Sequence, residues 1–399
     1  MPAPTKVPHK TANPVVTRDF VLLVAAHLLQ ALGYSSMLLL PLYLQHLDAS
    51  RTAIGAIVAT AAVSGLLVRP LIGWALDVVG RKPTLIVGTL LVAASMAMLF
   101  FVNGIGWVIY TQRAIFGIGI AVLFTAYFTF AADIVPVERR TEGLALFGIS
   151  GLVPLLINPF ADQIGIAPQD LRWFLPIIGG IILLSIVPLL PLKEPKRPRT
   201  KTLKLSEALR SLRAPPLAPV WFATAVFSGL VAVFMTFATV AAERRGVAQP
   251  ATLWLTYAVG AIFVRAIGAR LPDRLGPSNL VAPALGAYVG AMMLAASAMN
   301  LEAFLVAAGL AGLGHGYLFP VLSGQVVTRT PEAYRGSALS LFTAIWALME
   351  LAASPGFGAI ADRHGDAGMF WAAALAGVFS IAVWAILEHR LSSSAASDA

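Results

Sequence analysis

The chain has 399 residues, 58% of them hydrophobic and 12% charged, with a mean hydropathy of +0.81 and a net charge of +9. A soluble domain carries roughly 25% charged residues, so a water-soluble globule of this length lacks the polar surface it needs, and the bilayer is the solvent that fits. The absence of cysteine excludes disulfides, thiolate metal sites and a cysteine nucleophile, and the positive charge sits in loops between apolar runs, which points to membrane topology and not to nucleic acid.

The sequence opens on a polar, Pro-containing tail, residues 1–19. The apolar run from Phe20 to about Leu44 is too long for the core of a signal peptide and reads as a first, uncleaved span. Runs of about 20 apolar residues, each long enough to cross a bilayer, then start near Ala53, Pro83, Trp107, Glu142 and Trp173. They complete an N-terminal six-helix bundle over residues 20–192. A basic, Pro-bounded linker follows at 193–216, with a short amphipathic segment around Leu203–Leu212. It reads as a regulatory site or as a surface linker at the lipid headgroups. Six further runs start near Leu217, Ala251, Ser278, Ala303, Gly336 and Gly368 and form a C-terminal bundle over 217–388. A tail of 389–399 ends the chain. The expected fold is an all-α membrane protein of twelve transmembrane helices in two pseudo-symmetric six-helix bundles.

Lys and Arg concentrate on one side. With both termini inside, that side holds Arg81, Lys82, Arg139, Arg140, Arg274, Arg329, Arg335 and the linker cluster. The opposite loops hold Arg51, Arg172, Arg244, Arg245 and Arg363. The asymmetry predicts cytoplasmic termini.

The halves also resemble each other. Arg69, Asp77 and Gly80 recur 196 residues later as Arg265, Asp273 and Gly276. The run from Arg140 to Phe147 recurs 195 residues later from Arg335 to Phe342. Matches at nearly one shift predict a duplicated six-span unit.

The loop after span two reads Gly73-Trp-Ala-Leu-Asp77-Val-Val-Gly80-Arg81-Lys82. It resembles the signature loop of the major facilitator superfamily, and the twelve-span, two-half layout is similar to that superfamily over nearly the whole chain. The second copy is degraded: Pro277 stands where the basic pair should begin. Physically, Gly73 permits close helix approach, Asp77 suits a helix N-terminus, and Gly80 permits a turn. Arg81 can pair with Asp133 at the inner end of span four. The resemblance implies a conformational latch of Gly73, Asp77, Gly80, Arg81, Asp133 and Asp273; a simple topology anchor is the alternative.

Span four reads Tyr110-Thr-Gln-Arg113-Ala-Ile-Phe-Gly117-Ile-Gly119. It resembles the span-four pattern of proton-driven antiporters in the superfamily, which ties Arg113 to proton coupling. An arginine snorkelling to the outer surface is the plainer account. The antiporters' Gly-Pro run in span five is absent; Gly148-Ile-Ser-Gly151-Leu-Val-Pro154 stands there, with Asn158 and Pro159 after it. The prolines should bend that span.

Polar residues within spans are expensive and therefore informative. Glu350 is the acid placed mid-span, a proton-carrier candidate or a neutral, hydrogen-bonded structural acid. His315, flanked by glycines, is either its partner across the bundle or a packing residue. His27, Gln30 and Tyr34 share a face at i, i+3 and i+7 and are assigned to a substrate-cavity wall, with Asn158; a hydrogen-bonded packing role is the alternative for the histidine. Arg69 and Arg265 either line the same vestibule or pair with Asp77 and Asp273.

The sequence shows neither a nucleotide-binding Gly-x4-Gly-Lys run nor a metal-ligand spacing nor a nucleophile–base pair. No enzyme, cofactor or metal is expected. The expected function is secondary transport by alternating access: proton-coupled efflux of a small organic molecule, such as a drug-like compound, sugar or metallophore. Uptake of an organic anion by proton symport, contacted by Arg69, Arg113 and Arg265, competes with it. A transporter-derived sensor or scaffold is the alternative of another class. The expected partners are the substrate, protons and lipid. The expected location is the inner membrane, as a monomer.

Overall fold

The computed structural model describes residues 14–136, 139–194, 215–268, 271–331 and 334–397. Among these, every regular element is helical. That is what a lipid-embedded chain must do, because each backbone polar group needs an internal partner.

The first half contains α1 (Arg18–Ser36), α2 (Leu40–His46), α3 (Arg51–Leu67), α4 (Arg69–Val78), α5 (Arg81–Ala97) and α6 (Trp107–Ile134). It continues through α7 (Arg140–Ile149), α8 (Ile157–Gln163), α9 (Leu171–Ile182) and α10 (Ile186–Leu189). The second half contains α11 (Ala218–Arg244), α12 (Leu253–Ala266), α13 (Leu271–Leu275), α14 (Pro277–Ser297), α15 (Leu301–Thr328) and α16 (Arg335–Ser397). Several starts carry side-chain caps: Thr17, Ser50 and Asn300 accept from the amides of Phe20, Ala53 and Ala303.

Among the described residues, 8 helices are long and apolar enough to cross a membrane, or 9 with one bent pair joined. That pair, α3 and α4, bends by 47° at a break just before Pro70, where a proline removes a helix hydrogen bond. The other departures from twelve continuous spans have equally local causes. Span five is split: α7 stops at Ile149, a turn containing Pro154 intervenes, and α8 resumes at Ile157. Span eight is a shorter apolar helix, Pro250–Ala266. Spans eleven and twelve are the two legs of α16, separated at Gly365, whose φ of 74° is left-handed and suits glycine.

Packing repeats between the halves. Helix α6 packs against α3 and α5, and its counterpart α15 packs against α12 and α14. Small residues make the close crossings. A Cβ on Gly117 would overlap the Ala61 backbone, and one on Gly312 would overlap the Tyr257 backbone. The glycines of the span-four pattern therefore have a packing role. Helix α3 also packs extensively against the first leg of α16, across the halves.

The end of the bundle that carries the Arg81–Asp133 and Arg329–Glu388 pairs is here called proximal, and the end that carries the Arg51–Asp362 pair distal. Most of the 193–216 linker, with its amphipathic segment, lies outside the described residues.

Candidate functional site: a central charge pair between two ends

At the distal end the halves are tied together. Asp362 of α16 accepts hydrogen bonds from the amides of Arg51 (2.8 Å) and Thr52 (2.9 Å) and from the Thr52 hydroxyl (2.6 Å). It thereby caps the start of α3, where the helix dipole favours an anion. Asp366 takes Arg51 Nε at 3.3 Å and lies 3.8 Å from Arg244. Gln45 of α2 hydrogen-bonds Glu243 of α11. On the opposite flank, Asp162 of α8 accepts from the Thr252 amide (2.8 Å) and hydroxyl (3.3 Å) in the other half. Sequence reasoning assigned none of these acids, because loop acids look alike until folding shows what they face.

Asp162 lies past the apolar run of span five, in the last turn of α8. Burial pushes its carboxyl up to about 6, against the opposing pull of the amides of Thr252 and Ala251 and the Thr252 hydroxyl.

The proximal end carries one anchor in each half. Arg81 Nε pairs with Asp133 at 3.0 Å, and Nη1 lies 3.7 Å from Asp77. Glu194 accepts from the backbone amides of Arg81 (2.5 Å) and Lys82 (3.2 Å), capping α5. Gly80 has φ of 123°, and its repeat mate Gly276 has φ of 83°, so both positions need glycine. Gly73 differs from expectation: nothing lies within 4 Å of where its Cβ would be, so it mediates no close helix approach here. The Asp273 side chain lies outside the described ones.

In the second half, Arg329 donates to Glu388 at 2.5 and 3.1 Å and to Ser278 at 2.9 Å. A shift of 196 maps Asp133 onto Arg329 and Lys82 onto Ser278. The degraded second loop is thus replaced by an anchor with the charge on span ten reversed. Reading the basic pair as simply lost missed this, because the compensating arginine lies on a different helix.

Between the ends, Arg113 of α6 and Glu350 of α16 come from opposite halves and interact electrostatically. They are not joined in a direct salt bridge. Arg113 is only 6% exposed. It makes one long contact to the Val58 carbonyl (3.4 Å) and packs on Phe116, while Nε and Nη1 have no hydrogen-bond partner. It therefore does not snorkel outward. Tyr34 of α1 interacts with both charges and with Tyr257 and Tyr288 of the other half, yet it is 43% exposed. Tyr34 thus keeps exposed surface beside groups of both halves.

The other members of the Tyr34 stripe do not line it equally. His27 is buried, with Nδ1 2.7 Å from the Ser150 hydroxyl and its ring stacked on Phe147. Gln30 is also buried. Asn158 is fully buried and donates to the Leu155 carbonyl at 3.1 Å. These three act as packing residues in this state; the periodicity identified a shared face, not its solvent access.

His315 does not meet Glu350. Both belong to the second half, and His315 Nδ1 lies 2.5 Å from the Tyr257 hydroxyl. It sits in an aromatic group with Phe227, Phe319 and Trp346, and Trp346 is one turn from Glu350 on the same face of α16. Arg69 and Arg265 both reach backbone carbonyls of the opposite half. Arg69 bonds Thr343 and Ser340 across the halves, and Arg265 bonds the Gly148 carbonyl.

Comparison with known proteins agrees with this architecture. The sequence profile of the Major Facilitator Superfamily matches residues 22–301 and 255–398, essentially the whole described chain. The chain belongs to the major facilitator superfamily. An uncharacterized MFS-type transporter of Salmonella typhimurium is 27% identical over 77% of this chain and 80% of its own length. Multidrug resistance protein 1 of Bacillus subtilis is 28% identical, over 39% of this chain and 40% of its own. Among solved structures, the nucleoside transporter NupG superposes with a TM-score of 0.79 at 13% identity, covering 92% of this chain and 99% of that one. The human organic anion transporter MFSD10 gives 0.66 at 19% identity, with the same coverages. At such identities the structural likeness speaks for the fold alone. As a major facilitator, the chain is a multi-pass membrane transporter of small molecules.

Proposed function

We propose that this transporter exports a small organic molecule in exchange for protons, by alternating access. The observation that carries the reading is the Arg113–Glu350 pair: opposite charges from opposite halves, beside the solvent-open Tyr34. An ionised Glu350 balances Arg113; a protonated one does not. A substrate with a basic group then competes with the proton for Glu350, and that exclusion is what exchange requires. The pair couples protonation to the fit between the halves, since the charge balance is made across them. The charge asymmetry of the loops supports cytoplasmic termini; on that reading the tied distal end is the outer end and the structure is an outward-closed state. The antiporter-like span four and the relative named for multidrug resistance support the export direction.

Flux of ethidium, a planar aromatic cation, in proteoliposomes under an imposed pH gradient tests this. The expected result is gradient-driven movement that Glu350→Gln and Arg113→Gln each uncouple. Full gradient sensitivity in both variants rules out coupling by this pair.

The unpaired Nε and Nη1 of Arg113 favour one other reading, import of an organic anion together with a proton. Protonating Glu350 would free the guanidinium for the anion, so the two would bind together. Accumulation of labelled benzoate on an inward proton gradient, without ethidium transport, selects this reading.

A further inference from the structure

Arg69 and Arg265 stand 196 residues apart, at equivalent places in the two halves. Arg69, at the bend between α3 and α4, donates to the Thr343 carbonyl at 3.0 Å and the Ser340 carbonyl at 3.3 Å, and also bonds the Thr343 hydroxyl. Arg265, in the last turn of α12, reaches the Gly148 carbonyl at 3.5 Å and the Gly316 carbonyl at 3.5 Å. The acceptors Gly148 and Thr343 are themselves one repeat apart, at the shift of 195 that aligns Phe147 with Phe342. Each arginine thus crosses from its own half to the same backbone position of the other. The geometry is a pair of contacts related by the internal repeat.

Among the described residues, every other hydrogen bond between the halves lies at the distal end. These two lie well toward the proximal side, beyond the Arg113–Glu350 pair. A guanidinium at membrane depth is expensive, and this chain places one here twice. The acceptors matter as much as the donors. Carbonyls recur along a helix every turn, so a flexible arginine can pass from one to the next without a period as an unpaired charge. Arg69 already spans Ser340 and Thr343, one turn apart on α16. The distal carboxylates offer no such row; those contacts are either made or broken.

We propose that Arg69 and Arg265 are paired pivots. They keep the two halves joined in both end states, sliding along backbone carbonyls while the distal ties break and the proximal ends close. This rests on the alternating-access reading of the central site. It adds that the axis of rocking is held by two arginines from the duplicated unit and not by apolar packing alone.

The chain has no cysteine, so introduced cysteines can carry spin labels for pulsed electron–electron distance measurements in the full-length protein. Three pairs are needed, one residue from each half: Asp48 with Gln249 at the distal end, Val79 with Leu275 at the proximal end, and Leu71 with Leu339 beside Arg69. The pivots predict two populations at each end, changing in opposite senses, and one population at the middle pair. Two populations at the middle pair, changing in step with either end, overturn the pivots alone. A single population at both ends overturns the transport reading and the pivots with it. In Arg69→Ala/Arg265→Ala, ethidium transport should fall about tenfold while the distal ratio of states stays within about twofold, with partial recovery in Arg69→Lys. A shift of the distal ratio by about tenfold or more would make the arginines a gate holding one state.

Discussion

Gly55 of α3 lies directly against the Ser354 carbonyl of α16, so closely that a Cβ at 55 would overlap it. One turn nearer the distal end, Gly358 is pressed in the same way on the Arg51 backbone. The two helices belong to opposite halves, and their contact closes the distal end.

Enlarging either glycine should open that end. Overpacking costs about 1–3 kcal/mol where neighbours cannot yield, and here the neighbour is backbone. Gly55→Val and Gly358→Val should therefore shift the conformational ratio toward distal-open about tenfold or more, read from the Asp48–Gln249 label distance. Gly73→Val, with open space around it, should leave the ratio unchanged.

The ionic ties beside this crossing should matter less than the crossing itself. The Arg51–Asp362 and Arg51–Asp366 pairs are partly exposed, and such pairs contribute up to about 1 kcal/mol. Asp362 also caps α3 with three hydrogen bonds, a role worth about another 1 kcal/mol. Asp362→Ala should open the distal end several-fold, and more than Arg51→Gln does. Raising salt should reproduce part of the Arg51 effect but not the loss of the cap.

Asp162 should make closure pH-dependent. Its carboxyl is raised to about 6 while the distal end is closed; exposed in the open state, it returns toward the ordinary carboxylate value of about 4. The closed state thus binds the proton more tightly. Its stabilisation is fully present below pH ~4 and is lost as the pH rises through ~6. The closed fraction should grow on acidification from about pH 7 to about pH 5, and Asp162→Asn should flatten that response. Growth of the closed fraction on raising the pH would contradict the assignment.

The two proximal anchors should respond to charge exchange in a helix-specific way. Arg329→Ala leaves Glu388 partly buried without its strongest partner, and should lower thermal stability by several degrees. The exchange Arg329→Glu/Glu388→Arg should recover part of the loss. Arg81→Ala should behave alike through Asp133.

Much of this was legible in the sequence, and the reasons differ by feature. The all-helical membrane fold follows from apolar run length, whereas the expected twelve spans compare with 8 or 9 helices among the described residues that are long and apolar enough to cross a membrane. The Arg81–Asp133 pair was legible because both residues sit at defined span ends. The breaks inside spans two and five were less so, since Pro70 and Pro154 mark bends without saying whether the helix resumes. The fate of His27 was not legible: period alone cannot tell a cavity face from one covered by Phe147 and Ser150 of a neighbouring helix. The distal acids were invisible for the same reason, because their partners lie up to 315 residues away in sequence.

Glu350 is proposed to link protonation to the exchange between states. The most direct test follows the Asp48–Gln249 label distance from pH 5 to pH 8 in an Asp162→Asn background, where the surface acid no longer titrates. The two populations should interchange with pH when Glu350 is present and should lose that dependence in Glu350→Gln. An undiminished pH dependence in Glu350→Gln would contradict coupling through Glu350.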